Sequence, residues 1–284
     1  MADLDPRPQQ RAQLAAQLCT ALTAAIPASV ADLRGSLGSG TEDLYSDIDI
    51  SWLVPDGLLP TAVESAAKTV GSVWPVSSLR LDPGLARSAR RRLIFFRLAG
   101  LPLFWRIDLD IRCVSVAADS EYDDANPAAR SEAGWSRPAS AIENAAAAIK
   151  AAARGQAAAA DDLLSRGYQR IGADPAQADL PGRITRLADS CAILEPGLAA
   201  MATEVREVVT TLVRAGLLPP EPPIARCLPL PLVLLCGLVR RSGRIVQDRR
   251  CRPCAGPTFH SCPDGTRFVQ RLATALATVT VPRR

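Results

Sequence analysis

The chain has 284 residues, 48% hydrophobic and 22% charged, with a net charge of +4. That is the balance of a globular protein that buries a core, long enough for two ordinary domains or one large one. The small net charge argues against a nucleic-acid-coating protein, and no apolar run reaches the ~18–20 residues of a bilayer-spanning helix.

The start, Met1-Ala2-Asp3-Leu4-Asp5, carries acids and lacks the basic-then-apolar pattern of a signal peptide. A soluble, cytoplasmic protein with no membrane partner is therefore expected. Residues 9–25 place Leu14, Leu18 and Leu22 at i, i+4 and i+8, which predicts an amphipathic helix ended by Pro27. Residues 29–34 read as a short strand leading into a Gly35-Ser36 turn. Residues 48–54 read as a second strand, closed by Pro55-Asp56-Gly57. Residues 59–73 predict a helix with Val63, Ala66, Ala67 and Val70 on one side. Arg80-Leu81-Asp82-Pro83-Gly84 reads as a turn, and residues 87–92 as a basic cluster in a solvated loop. Two apolar runs, 93–98 and 103–116, flank Ala99-Gly100-Leu101-Pro102 and predict a β-hairpin.

Residues 121–140 are polar and read as a linker. Residues 139–170 are alanine-rich, and alanine has the best helix propensity, so two helices broken near Arg154-Gly155-Gln156 are expected. Glu143, Lys150 and Arg154 form one stripe along the first. The stripe is either a solvated face or the lining of a cleft, with Lys150 meeting phosphate. Residues 182–217 read as helical, interrupted at Pro196-Gly197, with Met201, Val205, Val208 and Leu212 at core spacing. Cys19, Cys113 and Cys191 read as buried small hydrophobes. Beyond 218 the text turns Pro-, Arg- and Cys-rich and reads as a poorly ordered extension. Within it, Cys251-x-x-Cys254 and His260-x-Cys262 offer four zinc ligands, but the second pair is spaced too tightly for the usual site.

The residues with the clearest chemistry lie at 35–49. A Gly-Ser turn precedes Asp47-Ile48-Asp49, whose two carboxylates share one face of a strand about 6–7 Å apart at about 3.3 Å per residue. Two acids side by side in apolar surroundings need a cation between them, and a hard oxygen-loving ion such as Mg²⁺ is the usual one. Asp108 and Asp110 repeat the pattern on a later apolar strand, so the acids of two strands would converge on one metal. Small residues let backbone N–H groups approach a phosphate, and the Ser36 hydroxyl adds a donor.

Gly35-Ser36 with Asp47-Ile48-Asp49 resembles the signature of the DNA polymerase β-like nucleotidyltransferase superfamily. The fuller string, with Thr41 and Tyr45-Ser46 before the acids, is similar to the antibiotic (aminoglycoside, kanamycin-type) nucleotidyltransferases and small bacterial nucleotidyltransferase-domain proteins. The resemblance covers about fifteen residues and the Asp108 strand, where Arg106-Ile107-Asp108 fits the family pattern better than Asp110. It implies an α/β (α+β) fold: a mixed-sheet nucleotidyltransferase domain over 1–125, a helical domain over 126–217, and the tail over 218–284. It implies Asp47, Asp49 and Asp108 as catalytic and Mg²⁺-binding residues. Gly35, Ser36, Ser46 and Lys150 would bind the nucleotide. The reaction implied moves an NMP, AMP from ATP first among them, from a nucleoside triphosphate to a hydroxyl of a small molecule, an antibiotic among the candidates. Some antibiotic-modifying members use a glutamate of the second domain as base, and Glu143 is the residue placed for that here. Two other readings stand beside this one: modification of a protein or RNA, as in antitoxin-type relatives, and a non-catalytic nucleotide-binding module.

Overall fold

The structure is a computed structural model, and it describes residues 8–175 and 177–218. The tail expected from 218 onward, and the zinc ligands within it, lie outside the described residues apart from Leu218. All described residues fall within one compact unit.

The first helix, α1 (Pro8–Ala25), is followed by β1 (Val30–Leu33), a one-turn helix α2 (Gly35–Ser39), β2 (Ile48–Val54) and α3 (Leu59–Val73). Then come β3 (Val76–Leu81), β4 (Arg91–Leu98) and β5 (Ile107–Cys113). Four longer helices close the described chain: α4 (Arg137–Ala153), α5 (Ala157–Arg170), α6 (Leu180–Leu194) and α7 (Ala199–Arg214). The protein is thus mixed α/β, with a five-stranded sheet of order β1-β2-β5-β4-β3. Only the β2–β5 pair is parallel; the other three pairs are antiparallel.

The period-2 alternation on β2, β4 and β5 decides the two faces of the sheet. Ile48, Ile50, Trp52 and Val54 on β2, Ile94 and Phe96 on β4, and Ile107, Leu109 and Ile111 on β5 are buried on one face. Leu14, Leu18 and Leu22 of α1 and Ala62, Ala66 and Val70 of α3 cover them. Each fully buried leucine contributes about 1.5–3 kcal/mol. The opposite face carries Asp49, Asp108, Phe95, Arg97 and Arg80, and α4 lies against it through Glu143 and Lys150. A second core joins α4–α7, and Leu103 and Phe104 from the connection before β5 belong to it. Alanines on α4, among them Ala141, Ala145 and Ala148 with no measurable exposure, let the helices approach closely.

Several expectations change here. The Gly35-Ser36 turn is the start of a short helix. Residues 80–84 are only partly a turn, because Arg80 and Leu81 end the edge strand β3. Ala67 is exposed, and Ala62 takes its place on the buried side of α3. Helix α4 begins inside the expected linker, capped by Ser136, whose hydroxyl accepts from the Ala139 N–H at 2.9 Å. The basic cluster is not a free loop: Arg91 is only 7% exposed and pairs with Asp110 and Asp124. Cys113 and Cys191 are buried and Cys19 half-buried, all as free thiols. No helix among the described residues is long and apolar enough to cross a membrane.

Candidate functional site

The strand register sets four side chains in one row. Asp49 on β2 is opposite Asp108 on β5, Asp108 is opposite Phe95 on β4, and Phe95 is opposite Arg80 on β3. Residues in register point to the same face, and neighbouring strands lie about 4.8 Å apart. Asp47 immediately precedes β2 and points to the same side, where Lys150 of α4 reaches it.

Each acid meets different company. Lys150 Nζ donates to Asp47 Oδ2 at 2.8 Å, and Arg106 Nη2 stands 3.6 Å from the same oxygen. Burial works against the charged Asp47, but Lys150 and Arg106 outweigh it and hold its carboxyl below the ordinary range. Asp108 is gripped by both arms of the Arg106 guanidinium, at 2.6 Å each. Burial nevertheless pushes the Asp108 carboxyl up against the pull of Arg106, with Asp47 adding to the rise. The Arg106 charge is opposed by burial and more than restored by Asp108, Glu143 and Asp47, so its pKa rises.

Asp49 differs from both. Its carboxylate has no hydrogen-bond or ion-pair partner among the described residues. It lies directly over Gly35, where an added Cβ would meet Asp49 Oδ2 at 2.1 Å. Gly35 also holds φ +56°, in the left-handed region that strains other residues. Burial first, then the charges of Asp47 and Asp108, push the Asp49 carboxyl up to about 6. Beside it the Ser36 hydroxyl is likewise without a partner among the described residues. Ser46, by contrast, is buried and spends its side chain within the 43–46 turn, on Asp43 Oδ1 and the Asp43 N–H, both at 3.0 Å.

That turn is positioned by a residue the sequence offered no reason to single out. Arg11 of α1 is 1% exposed, and its guanidinium donates to the Ser46 and Asp43 carbonyls, each at 2.9 Å. Arg154 clamps the other side of the turn through two 2.8 Å bonds to Asp43. The α4 stripe is therefore not a solvated face: Glu143, Lys150 and Arg154 all bond across to the first half of the chain. Glu143 is held by the Arg97 fork at 2.7 and 2.8 Å and by Arg106 at 3.3 Å. Although burial opposes its ionisation, Arg97, Arg106 and Arg80 hold its carboxyl down to about 2. A carboxylate held so low is a weak proton acceptor at neutral pH. Asp110 faces other partners, Arg91 and Arg112, and stands apart from the row.

Sequence reasoning named the acids and assigned Lys150 to phosphate, but paired none of the acids with a counter-ion. Arg106-x-Asp108 and Asp110-x-Arg112 were open to the same i, i+2 reading that paired Asp47 with Asp49. Arg97 and Arg80 needed the register of β3 and β4.

Two carboxylates, one of them without a cationic partner and cradled against a glycine, fit a hard divalent cation in donor chemistry. Asp108 is a third ligand only if the Arg106 fork releases it. Accordingly, among the described residues no group of three or more such side chains is already arranged to hold a metal ion. No protein-family model and no curated protein matches the chain.

Proposed function

We propose that the protein is a Mg²⁺-dependent nucleotidyltransferase, moving an NMP, AMP from ATP foremost, to a hydroxyl of a small molecule. The observation that carries this is Asp49, left without a direct ion pair over Gly35 and in register with Asp108. A fold that pairs Lys150 with Asp47 and Arg106 with Asp108, yet brings neither into contact with Asp49, has room for a cation that arrives with its ligand. Asp47 and Asp49 would hold Mg²⁺, which supplies neutralisation of the triphosphate charge.

The chain's own residues do the rest. Ser36 and the Gly35 backbone face the phosphates, and Lys150 and Arg154 add positive charge on the α4 side. The acceptor oxygen attacks the α-phosphorus, the bond to the bridging oxygen of pyrophosphate breaks, and the hydroxyl proton passes to a carboxylate. Asp108 suits that last role better than Glu143, whose charge is fixed by two arginines. The motif's resemblance to polymerase β-like nucleotidyltransferases supports the same reading, with the sheet as the nucleotide half and α4–α7 as the helical half. The buried, paired state of Arg91 disfavours a protein- or RNA-docking basic loop.

A second reading has its own observation. Asp47 and Asp108 are already neutralised, as in a non-catalytic nucleotide-binding module. Transfer from α-labelled ATP to a panel of hydroxyl acceptors, with and without Mg²⁺, separates the two. Label transfer that survives in an Asp47→Ala/Asp49→Ala double variant contradicts the enzyme reading.

A further inference from the structure

The face that carries the acids continues past Phe95 into a cavity of about 520 Å³ between β3–β4 and the start of α4. Cavities of this size hold a small molecule of ordinary dimensions. Phe95, Trp135, Leu198 and Met201 give it apolar walls. Its charged lining is three arginines, Arg80, Arg97 and Arg106, against two glutamates, Glu143 and Glu195. The glutamates are not free. Glu143 is taken by Arg97 and Arg106, and Glu195 accepts from the Ser136 hydroxyl.

Arg80 is left over. It forms no ion pair among the described residues, and its hydrogen bonding is one long contact of 3.5 Å to Ser140 Oγ. Its guanidinium lies 4.4 Å from the centre of the Phe95 ring. Glu143 supports its charge from a distance, but no carboxylate meets its N–H donors, which leaves them available to an oxyanion. Trp135 lends its ring to the wall of the same cavity, while its indole N–H is buried within that wall. Of the three arginines in the lining, Arg80 alone forms no ion pair among the described residues, and it stands next to the acid row.

We propose that this cavity is the acceptor subsite and that the acceptor is a planar, ring-bearing molecule carrying an oxyanion, a carboxylate or phosphate, bound through Arg80. This rests on the nucleotidyl-transfer reading above and names its substrate class. The register supports the geometry. Arg80 is two strands from Asp108, about 10 Å at ~4.8 Å per strand. A ring system anchored at Arg80 thus spans Phe95 and brings a hydroxyl at its far end to Asp108.

The test is calorimetric titration of the full chain, without nucleotide, with 6-hydroxy-2-naphthoate, 2-naphthyl phosphate, the uncharged 6-hydroxy-2-naphthamide and an aminoglycoside. An oxyanion is expected to bind about ten-fold or more tightly than the amide, the scale of a lost charge-assisted hydrogen bond. The carboxylate and phosphate arms show which oxyanion is preferred. Arg80→Gln should erase that advantage, and Arg80→Lys should restore part of it. Equal binding of acid and amide overturns the proposal, as does aminoglycoside binding without oxyanion binding. An oxyanion affinity unchanged in Arg80→Gln does the same. Mg·ATP titrated into the same protein reports on the nucleotide half. Oxyanion binding without ATP binding sinks the transfer reading but leaves the anion subsite standing, and ATP binding without oxyanion binding sinks only the subsite.

Discussion

Asp49→Asn should make the protein more stable and less able to bind nucleotide. In chelator the wild-type carboxyl sits at about 6 against an ordinary 3.8, because it is buried beside Asp47 and Asp108. Each pKa unit is worth about 1.4 kcal/mol, which sets a ceiling on the order of 3 kcal/mol for the strain of the ionised form. Solvent screening of a partly exposed group brings this to roughly 1–2 kcal/mol. The sign follows from proton linkage. The folded state holds this proton more tightly than the unfolded state. The associated stability is therefore complete below 3.8 and is lost as pH rises through about 6. The variant's advantage should be absent near the lower value and full above the upper one. For a chain of this size it amounts to roughly 2–8 °C in Tm near neutrality. Thermal melts of both proteins across that window, in chelator, measure it. A variant that melts lower than wild type near neutrality refutes the reasoning, and so does a difference that ignores pH.

Gly35→Ala places a methyl on Asp49 Oδ2 at a left-handed φ, so it should lower stability by about 1–2 kcal/mol and remove Mg·ATP binding; denaturant melts and calorimetry read the two effects. Glu143→Gln strips the buried charge that holds Arg97 and Arg106, so a loss of about 3–5 kcal/mol in chemical denaturation is expected, with no shift in the acid limb of any pH–rate profile. Arg11→Met leaves the Ser46 and Asp43 carbonyls without their donor, and should cost about 1–3 kcal/mol by denaturant melts. Arg154→Ala breaks an exposed pair and should change stability by under about 1 kcal/mol, while weakening ATP affinity in the same calorimetric titration.

The regular elements were legible wherever burial wrote a clear period. Strand Ile48–Val54 and helix Leu59–Val73 match their sequence reading end to end, because apolar runs bounded by Asp and Pro-Asp-Gly leave little choice. The edge strand β3 was not legible. Its Val-Ser-Ser-Leu-Arg-Leu text is half polar, and Leu79 and Leu81 stay 45% and 39% exposed, so no core pattern marks it. Losing that strand hid Arg80 and, with it, the cavity. The acids of the row were visible because i and i+2 side chains share a face within one strand. Arg106, two residues from Asp108, was open to the same reading, whereas the pairing of Lys150 with Asp47 spans 103 residues and that of Glu143 with Arg97 spans 46. Local spacing carries the motif and its Arg106 partner; the pairings made by α4 depend on the long-range register that folds it over the sheet.

The most direct test of the metal–triphosphate site is titration of ATP into the full chain with and without Mg²⁺, for wild type and for the stable Asp49→Asn variant. Wild type should bind ATP in a Mg²⁺-dependent manner, and Asp49→Asn should lose that dependence together with most of the affinity. Mg²⁺-dependent binding that is equally tight in Asp49→Asn, or no ATP binding by wild type at all, would contradict a cation site at Asp49.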